Sequence, residues 1–160
     1  MRAMRAGAAV VVLAIAAGAV TAASGAVDPD KAGRVKFVKR ADDICQKKGN
    51  DARRKVQRGV EYLSHHRLRK AGIEFAAAYR ELRQGYRRIG RLHRPVHGHR
   101  HIAKWLRIER RATAVGVNAA VALQRRKLER AARLTRKSAH LERRAYEPVR
   151  SFKFKRCRPL

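Results

Sequence analysis

The stretch LRKAGIEFAAAYRELRQGYRRI, residues 68–89, decides the fold. Leu68, Gly72, Phe75, Tyr79, Leu82, Tyr86 and Ile89 recur at intervals of four, three, four, three, four and three, the spacing that puts all seven on one face of an α-helix. A seam of this kind reads as core, because a helix with one apolar stripe must bury it against other elements. Arg80, Arg83, Arg87 and Arg91 track the seam one residue on and flank it as a basic stripe. The helix is expected to end by Arg94, since Pro95 disfavours helical geometry in the residue before it and Gly98 adds a second breaker.

Upstream, Val38, Ala41, Cys45, Ala52, Val56, Val60 and Leu63 are spaced by three, four or seven and predict another helix. It opens where Asp28 can cap, Pro29 fits the first turn and Asp30 complements the helix dipole. Gly49 and Asn50 interrupt this helix and are expected to kink or split it, with a turn following at Ser64, His65 and His66. Downstream, residues 102–147 contain no proline and one glycine, Gly116. A single helix over that stretch would be about 70 Å long, so the chain is expected to fold back at the polar run 124–127. Trp105, Leu106, Ala112, Val115, Ala119 and Leu123, then Leu128, Ala131, Leu134, Leu141 and Ala145, supply apolar faces for two helices. Residues 112–123 are apolar nearly all round, which predicts a buried centre too short to span a membrane. No strand alternation and no internal repeat interrupts the pattern, and the fold class is all-α: an antiparallel bundle of about four helices preceded by an N-terminal signal helix.

That signal is read from Arg2 and Arg5, the uncharged residues 6–20, and the small residues 21–26. It divides the chain into a signal peptide, 1–26, and a single helical domain, 27–160, that is secreted or extracytoplasmic. The alternative is an uncleaved anchor, because the uncharged run 6–27 is long enough to cross a bilayer. Positive-inside logic exports the body in both cases.

Forty-one Lys and Arg against 12 Asp and Glu give a formal net charge of +29. Cleavage would remove Arg2 and Arg5 and none of the acids. Such a balance predicts self-repulsion and attraction to polyanions that weakens with salt. Arginines number 29 and lysines 12, alongside much alanine and valine. Codon bias in a GC-rich genome accounts for part of that preference and not for the scarcity of acids. Arg126, Arg130, Arg133 and Lys137 recur at four, three and four residues, a second basic face whose like charges cost the helix roughly 0.3 kcal/mol per pair. A polyanion relieves that cost. The expected partners are an anionic cell-envelope polymer or anionic lipid surface, with extracellular nucleic acid bound non-specifically; the competing reading is a solvated face. A membrane-active cationic protein is an alternative, against which the apolar seams look committed to one another.

Two cysteines remain, Cys45 and Cys157. A lone pair in an exported chain is expected to pair with itself, clipping the C-terminal tail to the first helix; a bridge between two chains and free thiols are the alternatives. No Cys-x-x-Cys spacing supports redox work. His97, His99 and His101 alternate beside His93, Pro95 and Gly98, and on extended backbone three imidazoles could ligate Zn or Cu. Arg91, Arg94, Arg100 and Lys104 would repel a dication, so a solvated basic loop is the competing reading. No phosphate-cradling glycine loop, metalloprotease histidine pair or serine elbow is present. The adjacent acids Asp42 and Asp43 fit helix-surface salt bridges better than acid–base work. The chain therefore reads as a non-enzymatic binding module without a cofactor, with metal binding as an alternative.

The segment FVKRADDIC at 37–45, the helix end Leu92-His93-Arg94-Pro95 and the final cysteine together resemble a group of small exported actinobacterial helical proteins. In that group an Ala-Asp-x-Ile-Cys-like segment opens the domain and a C-terminal cysteine closes it. The resemblance implies an exported helical domain and carries no catalytic residues. Two features depart from it: the high charge, and Phe152-Lys153-Phe154 where a glycine-containing turn would be expected.

Overall fold

Two three-residue turns, each built without glycine, return the chain on itself. In the computed structural model, which describes residues 29–157, the helices are α1 (Pro29–Ser64), α2 (Leu68–Ile89), α3 (His99–Gln124) and α4 (Leu128–Tyr146), followed by a short 3-10 helix, Glu147–Phe152. The described residues are helical with no strand. The expected signal segment 1–26 and the cap at Asp28 lie outside the described residues, and no described helix is long and apolar enough to cross a membrane.

The turn after α1 puts His66 at φ 54° and the turn after α3 puts Arg126 at φ 57°. In each, the following amide reaches back five residues, Arg67 N to Tyr62 O at 2.8 Å and Lys127 N to Ala122 O at 2.9 Å. This is the six-to-one bond of a Schellman ending, which satisfies the last helical carbonyls. The left-handed position usually goes to glycine, so both turns fall where expected while lacking the residue that would have announced them.

Neighbouring helices run antiparallel. Along α1, Lys48 and Lys55 meet Glu81 at 2.6 and 3.2 Å and Arg58 meets Glu74 at 2.8 Å, so numbers rise on one helix as they fall on the other. Tyr79 lies over Gly116, and Gly72 faces the α3 backbone so closely that a Cβ there would sit 2.6 Å from Ala120 O. Ser138 of α4 bonds Ala112 O at 2.9 Å.

The interruption expected at Gly49 and Asn50 does not occur; α1 passes through both unbroken. A mid-helix glycine costs about 1 kcal/mol relative to alanine. Lys48 on one side and Asp51 and Lys55 on the other hold the helix by ion pairs, two of them to α2. α2 closes at Ile89, short of the limit set by Pro95, with Gly90 N bonded to Tyr86 O at 3.0 Å.

At 36 residues α1 is longer than α2 with 22, so its first turns overhang its neighbour. The C-terminal tail covers the overhang. Phe37 meets Phe152 and Phe154 edge-on at 6.5 and 6.3 Å, and Phe154 lies 5.1 Å from Trp105. Ile89, Ile102, Leu106, Ala145 and Val149 complete this core. Cys45 and Cys157 are bonded within the chain, with Cα atoms 5.3 Å apart.

Asp42 corrects the surface-salt-bridge reading. It is buried, and its carboxylate accepts the amides of Lys155, Arg156 and Cys157 at 2.8, 2.8 and 3.1 Å. Three successive N–H groups make a concavity for an anion, and here the anion is the chain's own. Lys153 at φ 55° takes the left-handed turn position for which a glycine was expected.

Candidate functional site

Two surfaces can meet a partner: the arginine-rich exterior and a cleft along one side of the bundle. On the exterior, Arg80, Arg83, Arg87 and Arg91 are exposed, as are Arg126, Arg130, Arg133 and Lys137. None of the eight forms a salt bridge with a described acid. Arg126 sits in the turn rather than on α4, so the helical part of the second stripe is Arg130, Arg133 and Lys137. Many acids, meanwhile, are engaged elsewhere. Asp42 holds the tail; Asp51, Glu74 and Glu81 are paired with cations of α1; Asp30 accepts His97 N at 3.0 Å; Glu109 is buried. The outer field is thus more one-sided than composition alone implies.

The cleft follows from which helices touch. α1 packs on α2, α2 on α3 and α3 on α4, whereas α1 and α4 share no comparable interface. The fourth side stands open as a cavity of about 750 Å³. This revises the reading of the α2 seam as closed core: Phe75, Tyr79, Leu82 and Tyr86 line the cleft, and of the seven seam residues only Gly72 and Ile89 are fully buried. Small residues leave the space. Ala78, Ala119, Ala120 and Ala131 occupy inward positions where a filled bundle core carries larger aliphatic side chains.

Within this apolar lining sits a polar cluster. Glu109 of α3 is 6 % exposed and accepts Trp105 Nε1 at 3.1 Å. Burial pushes its carboxyl up to about 7, helped by the negative charge of Glu142 and opposed by hydrogen bonds from Tyr86 and Trp105. Burial, then the Glu109 charge, holds the Tyr86 phenol well above its ordinary value, and burial with Glu142 raises Tyr79. Ser138 Oγ lies 3.1 Å from Glu142 Oε1. At neutral pH the cleft therefore presents phenols that stay protonated and two carboxyls of which one is near its titration midpoint.

The histidines do not adopt the alternation expected of them. His97 is in the loop, while His99 and His101 fall in the first turn of α3, where a two-residue spacing points side chains to different sides. His99 Nε2 lies 3.1 Å from Arg94 Nη1. Among the described residues no three His, Cys, Asp or Glu side chains are grouped to hold a metal.

Sequence reasoning placed Asp42 on the surface and passed over Glu109 and Glu142. A signal for the two glutamates existed: Glu109 lies four residues after Trp105 and three before Ala112, and Glu142 three before Ala145, so each is an acid on an otherwise apolar face. No protein-family model, no curated protein and no solved structure matches this chain.

Proposed function

We propose that this protein is a non-enzymatic binding module, acting outside the cytoplasm, that holds polyanions on its arginine-rich exterior, foremost an anionic cell-envelope polymer or anionic lipid surface. The observation carrying this reading is the division of charge. Acids are spent on the tail, the α1–α2 interface and the cleft, while Arg80, Arg83, Arg87 and Arg91 stand exposed and unpaired by described acids. Exposed like charges at helical spacing repel one another, and a polymeric anion turns that repulsion into attraction by releasing its counterions. A binding role is favoured over catalysis by the cleft's lack of a ready nucleophile. Lys48 is paired with Glu81, the Thr113 hydroxyl is bonded to backbone oxygens at 3.0 and 3.1 Å, and both cysteines are oxidised.

The test is retention on immobilised teichoic-acid-like polymer, anionic vesicles and DNA across a salt series. Retention should fall steeply with salt, and replacing Arg80, Arg83 and Arg87 by Gln should lower the slope by about one unit for each phosphate no longer neutralised. Failure to bind any of the three at low salt sinks the proposal; equal retention on all three reduces it to charge without selectivity.

A further inference from the structure

We propose that the cleft between α1 and α4 binds a small amphipathic cation, a single apolar chain carrying one protonated amine, with the chain along Phe75, Leu82 and Leu123 and the ammonium against Glu109 and Glu142. This site is separate from the arginine exterior and does not depend on the polyanion reading.

The cavity's size of about 750 Å³ is within the range of small-molecule sites. Its lining is polarised along the bundle axis. Glu109 and Leu123 belong to one helix and are about 21 Å apart at 1.5 Å per residue, so carboxylates mark the end nearer the disulfide and aliphatic side chains the end nearer the turns. The sign of the ligand's head follows from what is already neutralised. Lys48, the buried cation of the cleft, has its charge met by Glu81 at 2.6 Å and its remaining donors partly by Gln84 at 3.2 Å. Arg53 and Arg156 line the cleft but are exposed. Glu109 and Glu142 form no salt bridge among the described residues; the Glu142 charge raises the cost of ionising Glu109 and Tyr79, and the Glu109 charge that of ionising Tyr86. An ammonium placed between them would remove that repulsion while its chain covers apolar surface now facing solvent. An anionic amphiphile would bring a like charge to the two carboxylates.

Three matched probes separate the alternatives: dodecylamine, dodecanol and dodecanoate, each titrated below its micelle concentration into the disulfide-bonded protein at about 0.3 M salt, where the exterior field is screened within a few ångströms. The amine should bind at one per chain and at least ten-fold tighter than the alcohol. Glu109→Gln should bring it down to the alcohol's affinity, and Ala131→Leu, which fills the cleft from α4, should weaken both. The unmodified protein supplies a readout that no folding defect can confuse. Glu109 is faced by Tyr86 of α2, Glu142 of α4 and Trp105 of its own helix, with Lys48 of α1 and Arg156 of the tail sharing the cleft. As Glu109 ionises, amine affinity should rise between about pH 6 and pH 8 while the alcohol's stays flat. Dodecanoate binding as tightly as the amine, a flat pH profile for the amine, or no binding of any probe overturns the proposal.

Discussion

At the tail end of the bundle Phe37, Ile89, Ile102, Trp105, Leu106, Val149, Phe152 and Phe154 are all buried around one disulfide; at the turn end the buried apolar side chains are alanines, among them Ala52, Ala71, Ala119, Ala120, Ala122 and Ala131. There several larger aliphatics are left in solvent, with Val56 41 %, Val60 54 %, Ile73 50 % and Leu128 54 % exposed, Val56 and Leu128 on the rim of the cleft. The same four helices pass through both ends, so the difference lies in side-chain volume and in the tail that closes one end. Packing of large side chains contributes stability in proportion to the surface it buries, which concentrates cohesion at the tail end. The alanine end obtains its order from helix propensity, close backbone approach at Gly72 and the α1–α2 ion pairs. A domain so divided can keep a cleft open without unfolding.

The largest test of that division is the disulfide. Replacing Cys45 and Cys157 by Ser frees a loop whose closure is worth about 4 to 5 kcal/mol in the chain-entropy model, and denaturant unfolding should register a loss near that size. A loss below about 1 kcal/mol would mean that the aromatic contacts and Asp42 hold the tail unaided. Trp105→Ala at the closed end should cost about 4 kcal/mol, and Phe75→Ala in the open cleft clearly less; equal losses would erase the contrast between the ends.

The cleft should also give stability a pH dependence of its own. The fold raises the Glu109 carboxyl from 4.5 to about 7, so it favours the protonated form. That contribution is fully present below the unfolded value of 4.5 and is lost as pH rises through 7, a decline on the order of 3 kcal/mol. Glu109→Gln should flatten the profile in this window and leave the protein more stable at alkaline pH than the parent; an unchanged slope would show that the carboxyl is solvated. The smallest effect is expected at Val60→Ala, below about 0.5 kcal/mol by chemical denaturation, because about half of that residue stays in water after folding.

Several of these features were legible in single residues. The rhythm from Leu68 to Ile89 marked α2, Pro95 and Gly98 bounded its end, the polar run at 124–127 held the bend, and the two cysteines paired as expected. Others were not legible because their cause is distant in sequence. Gly49 was a valid local breaker, overruled by ion pairs from Lys48 and Lys55 to a residue on another helix. Asp42 looked like one more surface acid because its partners lie at 155–157, more than a hundred residues away.

The sequence by itself determined the helices and their apolar faces, since both depend on periodicity and short-range backbone preferences within one segment. It also determined the excess of positive charge, which is a matter of counting. Only the tertiary structure decided that the α2 seam faces a cleft instead of a fourth helix, and that Glu109 and Glu142 both line it, close enough for the charge of one to act on the other. An apolar face says that a helix must pack somewhere; which faces are left partly uncovered is set by the volumes of side chains contributed by all four helices together.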